Sequence, residues 1–319
     1  MYAADHISAV RRNFESRAMP ETEKPPAGPV DIYFIYTYLI MKKIIFLDID
    51  GTLYSTKIGR IPDSAEKAIQ LARKNGHKIF LCTGRSLSEI QKYLNYDVDG
   101  FILGAGGMVY ADGKRIYDHP IAQRDVSRIK KQILKAGLGY CLEGAAGAYC
   151  SKVGYEYLLR YFSGGETDYD KQVALCMENG TYPESFGSEE NDSIYKICAY
   201  GPSWLPLYPK LAELLEKPFV LTKSVEHPEE NLCIGEVTNG NVTKGTAILK
   251  VLDHYNEESF NAIGIGDSAN DIPMFKVCGT SVAMGNAAEE AKTHADYVTT
   301  DILDDGIWNA FVYYGLIEG

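Results

Sequence analysis

Residues 46–52 read FLDIDGT, and the apolar run they close starts at Lys42-Lys43-Ile44-Ile45. A run this short and this apolar reads as a strand buried on both faces of a parallel sheet. Strand side chains alternate, so Asp48 and Asp50 are expected to point the same way. Two carboxylates held together repel, and burying them without a partner costs on the order of several kcal/mol. A divalent cation is the obvious compensation.

Working outward, a strand-then-helix rhythm repeats. Pro62-Asp63-Ser64 opens a helix whose Ala65, Ile69 and Ala72 share a face, and Gly76 closes it. HKIFLCT (77–83) reads as a second buried strand, and Ser86-Leu87-Ser88-Glu89 as a capping box opening the next helix. GFILGA (100–105) is a third strand, followed by a hairpin around Ala111-Asp112-Gly113-Lys114. Near Asp118-His119-Pro120 the character changes. A helix over 125–136 leads to shorter mixed strands, GYCLEG, AGAYCSK and SIYKICAYG, until NLCIGEVT (231–238) leads back. Thr243 then caps a helix with Ile248, Val251, Leu252 and Tyr255 on one side. NAIGIGD (261–267), TSVAMG (280–285) and ADYVT (295–299) are the last strands. The expected fold is α/β, with a Rossmann-like parallel-sheet core from 41–119 and 239–319 and an α+β cap domain inserted over 120–238.

The bulk numbers agree with two soluble domains: 319 residues, 45% apolar and 24% charged. A formal net charge of −11 argues against a nucleic-acid surface, and an anionic substrate then needs a local cation or metal. Seven scattered cysteines without a Cys-x-x-Cys pair speak against a disulfide framework or zinc ribbon and for a reducing cytoplasm. IYFIYTYLIM (32–41) is too short to span a bilayer and lacks a cleavage-like pattern, so no membrane role is expected. Residues 1–40 read as an upstream extension ahead of a natural start at Met41, with a weakly ordered native arm as the alternative.

Four segments fall at strand ends or helix starts: Asp48-Ile49-Asp50-Gly51-Thr52, Thr83-Gly84-Arg85, Lys244-Gly245 and Gly266-Asp267-Ser268-Ala269-Asn270-Asp271. In an open α/β sheet, ligands bind beyond the carboxyl ends of the strands, so all four should share one crevice. Asp48, Asp50 and Asp267 offer hard oxygen ligands suited to Mg²⁺. Thr83 and the backbone N–H groups near Gly84 suit a phosphate, and Lys244 supplies a point charge. Phosphoryl transfer asks for positioning and charge neutralisation, which this set can give.

In that order, DxDGT, TGR, a single Lys and GDxxND resemble the haloacid dehalogenase superfamily of phosphatases, across essentially all of 41–319. The cap's place between the second and third motifs, and the closing run Val282-Ala283-Met284-Gly285-Asn286-Ala287, are similar to the class IIB, Cof-like group. The resemblance implies that Asp48 attacks phosphorus and that Asp50 protonates the leaving oxygen and then deprotonates water, which asks for a raised carboxyl at Asp50. It implies Mg²⁺ held by Asp48, the Asp50 backbone carbonyl and Asp267, with Asp271 in or near that shell. Thr83, Gly84, Lys244 and Asn270 would bind the phosphoryl group. Where many relatives carry Asn-Gly, Gly104-Ala105-Gly106-Gly107 offers no side-chain amide.

The implied function is a Mg²⁺-dependent phosphomonoester hydrolase acting on a small phosphorylated metabolite, with sugar phosphates first and nucleotide or cofactor phosphates behind them. Two alternatives stay open. A phosphomutase of the same cap class needs cationic cap residues, for which Lys152, Arg160, Lys171 and Lys196 are candidates. A non-catalytic phosphoacceptor or binding module could use the same aspartates. Arg85 reads equally as a surface ion-pair partner, Cys82 as core packing, and Tyr155, Tyr157, Tyr161 and Phe162 as cap core at helical spacing.

Overall fold

The apolar run ahead of Asp48 folds as β1 (Ile44–Leu47), every residue of it buried. The computed structural model describes residues 41–319 apart from 88, 91–95, 164, 185–191, 204–205 and 228–230. The expectations for residues 1–40 therefore lie outside the described residues, as does most of the helix expected after Ser86. At its start the Ser86 N–H donates to Glu89 Oε2 at 2.7 Å, the contact a capping box requires.

After β1 come α1 (Asp63–Lys74), β2 (Lys78–Cys82), β3 (Gly100–Leu103), β4 (Met108–Ala111) and β5 (Lys114–Asp118). Next are α2 (Gln123–Ala136), β6 (Gly139–Gly144), β7 (Ala148–Cys150), α3 (Lys152–Ser163), α4 (Tyr169–Glu178) and β8 (Thr181–Pro183). They are followed by β9 (Ile194–Gly201), α5 (Leu207–Leu214), β10 (Phe219–His227) and β11 (Leu232–Asn239). The chain finishes with α6 (Lys244–Tyr255), β12 (Ala262–Gly266), α7 (Ile272–Val277), β13 (Thr280–Ala283), α8 (Glu289–His294), β14 (Tyr297–Val298) and α9 (Gly306–Tyr313).

Two sheets result. One runs β14-β13-β12-β1-β2-β3-β4-β5, and the other runs β10-β11-β9-β6-β7-β8. In the first, β14 to β3 are parallel, and only the β3–β4–β5 edge is antiparallel. The second is antiparallel except for β7–β8. This is an α/β parallel-sheet core carrying an inserted α+β cap. Parallel pairing puts the carboxyl ends of β1, β2, β3, β12 and β13 at one edge; the Asp48, Thr83 and Asp267 motifs follow the ends of β1, β2 and β12, and Lys244 opens α6 after β11.

Helix α1 buries Ala65, Ala68, Ile69 and Ala72, the stripe its spacing sets, and Gly76 leaves it at φ 88°. Helix α9 packs against α1, with the Lys67 ammonium 5.2 Å from the Trp308 ring centroid. The cap sheet is lined on one side by α2 and α5 and on the other by α3 and α4. Tyr155 joins that second cluster, whereas Tyr161 is 47% exposed, so the cap-core role expected of Tyr161 is corrected. Its helix position faces away from the sheet. The Phe162 side chain lies outside the described residues.

Lys43 is buried beside β1, its Nζ 3.2 Å from Asn261 Oδ1 and 4.7 Å from the Phe260 centroid. Burial pulls its pKa down to about 7, against a smaller opposing pull from Glu257. A lysine lowered on folding penalises the fold fully below that value and loses the penalty as pH rises to its unfolded pKa of about 10.4. Lys43→Met is therefore expected to raise the urea midpoint at pH 7. The gain over wild type should shrink in the same titration at alkaline pH.

Candidate active site

Strand alternation stops at Leu47, and this corrects the expected pairing of the two aspartates. Asp48 is buried, with its N–H donating to Ile265 O at 3.0 Å, whereas Asp50 sits on the turn that follows and is exposed. The turn is closed by Leu53 N–H and Tyr54 N–H, both donating to Ile49 O. Gly51 enters it at φ 84°, where a Cβ would lie 2.3 Å from Asp267 Oδ2, so glycine is required on both counts.

The carboxylates are compensated separately. Lys244, at the first turn of α6, donates to Asp48 Oδ1 at 2.6 Å, Asp271 Oδ1 at 2.6 Å and Asn270 Oδ1 at 3.1 Å. It is 2% exposed, and the Thr243–Thr246 capping box fixes the turn that carries it. Asp50 instead forms a two-pronged pair with Arg85, at 2.7 and 2.6 Å. Arg85 N–H also donates to Thr83 Oγ1 at 3.1 Å, so the Thr83-Gly84-Arg85 turn reaches both the buried hydroxyl and the acid.

Asp267 accepts from Thr52 Oγ1 at 3.1 Å, binding the β12 end to the β1 end. Asp271 is fully enclosed. Its Oδ2 accepts the N–H groups of Asp267 and Ser268, both at 3.0 Å, while its Oδ1 takes Lys244. One carboxylate oxygen each from Asp48, Asp267 and Asp271 lie within 4.8 Å of one another. Asp50's carboxylate is not in that group.

The electrostatics follow from this crowding. Burial pushes the Asp48 carboxyl up, opposed by Lys244 and reinforced by Asp271 and Asp267. Burial, then Asp271, lifts Asp267 to about 7. For Lys244, burial works downward but Asp271 and Asp48 outweigh it and hold the ammonium charged. Three acids against one lysine leave excess negative charge in a dry place, and the donors are all hard oxygens. That set fits a divalent cation such as Mg²⁺.

Residues outside the four catalytic motifs complete the site. Asn286 donates to Gly51 O at 2.7 Å and accepts from Ile302 N at 2.9 Å, tying the loop after β13 to the Asp50 turn. The Gly104-Ala105-Gly106-Gly107 stretch makes room for a cap residue. A Cβ at Gly107 would lie 2.6 Å from Tyr195 Cδ1, and one at Gly104 would lie 2.8 Å from Tyr195 Cβ. Tyr195 comes from β9 yet joins the hydrophobic cluster of the first sheet, and its hydroxyl donates to Asp118 at 2.6 Å. Ala105 takes the left-handed conformation (φ 56°) and lines the crevice. None of these long-range contacts has a local signature.

A crevice of about 310 Å³ opens over the site. It is lined from the core by the loop and helix-start residues Gly84, Ala105, Lys244 and Asn270, and from the cap sheet by Val220, Thr222, Glu236 and Thr238.

The family profile for haloacid dehalogenase-like hydrolases matches residues 45–311. The chain belongs to that family. Among relatives, it is 28% identical over 289 residues to the 5-amino-6-(5-phospho-D-ribitylamino)uracil phosphatase YwtE of Bacillus subtilis (83% of this chain, 95% of the relative). It is 25% identical over 284 residues to the pyridoxal phosphate phosphatase YbhA of Escherichia coli (86% and 99%). The solved structure of a HAD subclass IIB sugar phosphatase superposes with a TM-score of 0.68 at 26% identity, covering 86% of this chain and all of that one. The chain is thus an enzyme of the subclass IIB, Cof-like phosphatases. Among its described residues, no helix is long and apolar enough to cross a membrane.

Proposed function

We propose that the protein is a Mg²⁺-dependent phosphomonoester hydrolase of small metabolites, sugar phosphates foremost, working through an aspartyl-phosphate at Asp48. One observation carries this reading: a buried Asp48, grouped with Asp267, is held by a buried Lys244 that itself lines the crevice. Asp48 attacks phosphorus, and the bond to the leaving oxygen breaks as Asp50 supplies that oxygen's proton. A water then attacks the aspartyl-phosphate, giving its proton to Asp50 and freeing Asp48 and phosphate. Asp50 is half-exposed, so a leaving group can reach it.

Lys244, the Thr83 hydroxyl, the Gly84 N–H and Asn270 orient the phosphoryl oxygens. Asp48, Asp267 and the Asp50 carbonyl would hold Mg²⁺, with Asp271 at the edge of that set. When bound, the ion adds positive charge against the phosphoryl oxygens. Asp271 spends both its oxygens on Lys244 and two backbone N–H groups, which suits it to holding the lysine and the loop in place. The domain division proposed is a core of 41–119 and 239–319 under a cap of 120–238 that encloses the substrate. Seven free cysteines suit a reducing cytoplasm.

The cap favours hydrolase over mutase. Lys152 and Arg160 are exposed on α3, Lys171 pairs with Glu166, and Lys196 sits between two glutamates. These four do not form a cluster that could grip a second phosphate. The deciding experiment is phosphate release from a panel of sugar, nucleotide and cofactor monophosphates, with Mg²⁺ and with chelator. Repeated turnover that chelator abolishes is the expected outcome, and metal-independent release or silence on the whole panel refutes the reading. In parallel, Mg²⁺ should raise the thermal midpoint of the wild type by mass action, and much less that of Asp267→Asn.

A further inference from the structure

The face of the cap sheet that carries Glu236 is divided. Its apolar half, including Cys141, Cys198, Tyr200 and Leu232, packs under α3 and α4. Its other half carries Thr222, Glu236, Thr238, Lys196 and Glu143, and Thr222, Glu236 and Thr238 line the crevice. Strand register makes this a row: Thr222 is paired with Glu236 across β10–β11, and Lys196 with Glu143 across β9–β6. The Lys196 ammonium lies 2.8 Å from Glu143 Oε2 and 3.2 Å from Glu236 Oε1, and 3.8 Å from where a Cβ would stand on Gly84. Lys196 is 6% exposed.

We propose that this row is the leaving-group site, with Glu236 accepting a hydrogen bond from a hydroxyl of an uncharged polyol or sugar leaving group. The inference rests on the phosphatase reading and names what that site selects. Both contacts of Glu236 fall on Oε1, from Lys196 Nζ and Ser224 Oγ at 3.2 Å each, which leaves Oε2 as an acceptor among the described residues. Burial works to raise Glu236, but Lys196 outweighs it and holds the carboxyl below its usual range, so the acceptor is charged. Burial raises the Glu143 carboxyl to about 7, so near neutral pH the two carboxylates around one ammonium carry between zero and one net negative charge, with no positive excess to attract a leaving group that carries its own carboxylate. No aromatic ring lines the crevice among the described residues, so a planar base or pyridine finds nothing to stack on. Val220 offers an apolar edge for sugar carbons, and Thr222 and Thr238 offer further hydroxyls. Replacing a buried ion triad with apolar packing is often neutral or stabilising, so the Lys196–Glu143 pair behind Glu236 suits recognition more than stability.

The test compares kcat/KM for three probes: a hexitol phosphate, phosphoglycolate and phenyl phosphate. Wild type should prefer the hexitol ester to phosphoglycolate. A charged acceptor is worth roughly 5- to 10-fold more than a neutral one, and the glutamine carbonyl still accepts, so Glu236→Gln should cut the hexitol value by about that much. The loss on phenyl phosphate should be smaller, and phosphoglycolate should gain relative to both. Thr222→Val, at an exposed position, should lower the hexitol value alone by a few-fold and guards against a folding defect in the first variant. Equal losses on all three probes, or an unchanged ratio in both variants, overturn the leaving-group assignment while the phosphatase reading stands. Failure to hydrolyse even phenyl phosphate with Mg²⁺ removes the phosphatase reading and this inference with it.

Discussion

Asp48→Asn is expected to give a folded protein whose phosphate release falls by about four orders of magnitude or more, as loss of a covalent nucleophile does elsewhere. The amide is nearly isosteric, so the crevice keeps its shape, but it cannot attack phosphorus. Stability should move the other way. Asp48 is buried with Asp271 and Asp267 close enough to raise its carboxyl, so its charge is a burden on the fold. Lys244 keeps Asp271 at 2.6 Å and Asn270 at 3.1 Å when Asp48 is neutralised, so no charge is orphaned. The thermal midpoint without metal should therefore stay level or rise. Turnover retained in this variant would move the nucleophile elsewhere, and a collapsed midpoint would mean that Asp48 serves the fold.

That opposition of activity and stability is why FLDIDGT was legible at all. A buried strand ending in aspartates breaks the local rules of packing, and such violations collect where function needs them. Order and spacing of the four motifs carried the rest, because parallel strands deliver their carboxyl ends to one edge. The sequence reading went astray where a residue's partner lies far along the chain. It extended strand alternation past Leu47 and so set Asp50 beside Asp48, whereas the turn hands Asp50 to Arg85, 35 positions on.

The cap was legible as a change in composition but not as a surface. Strand period could place Glu236 and Thr238 on one face, yet which half of that face helices would cover depends on where α3 and α4 dock. Likewise the Gly104-Ala105-Gly106-Gly107 stretch read only as a lost amide at Ala105, and its glycines at 104 and 107 carried no reading of their own. The structure shows what they admit, the Tyr195 side chain from a strand some 90 residues away. Lys196 stood among four cap cations with nothing to single it out, and only the register of β9 against β6 and β11 puts it between two glutamates.

Lys244→Met should have the largest effect on the fold. The unbranched side chain fills the same space and removes the charge that Asp48 and Asp271 share. Breaking a buried ion pair from one side costs about 3–5 kcal/mol, because the abandoned partner stays buried and charged. The two acids differ in what remains. Asp271 keeps two backbone N–H donors on Oδ2, whereas Lys244 is the only side chain donating to Asp48 among the described residues, so Asp48 bears most of the strain. Two checks follow by equilibrium urea unfolding. The double variant Asp48→Asn/Lys244→Met should recover a large part of the loss, a non-additivity expected only if the two side chains are coupled. Lowering pH should also narrow the deficit. A carboxyl raised by burial binds its proton more readily in the folded state, so the penalty of its charge is full above the folded value, about 7 for Asp267, and fades as pH falls toward the unfolded one. Additive losses and a deficit constant with pH would show that Lys244 stabilises the fold through its methylenes alone, and would leave the separation of the three acids without its electrostatic cause.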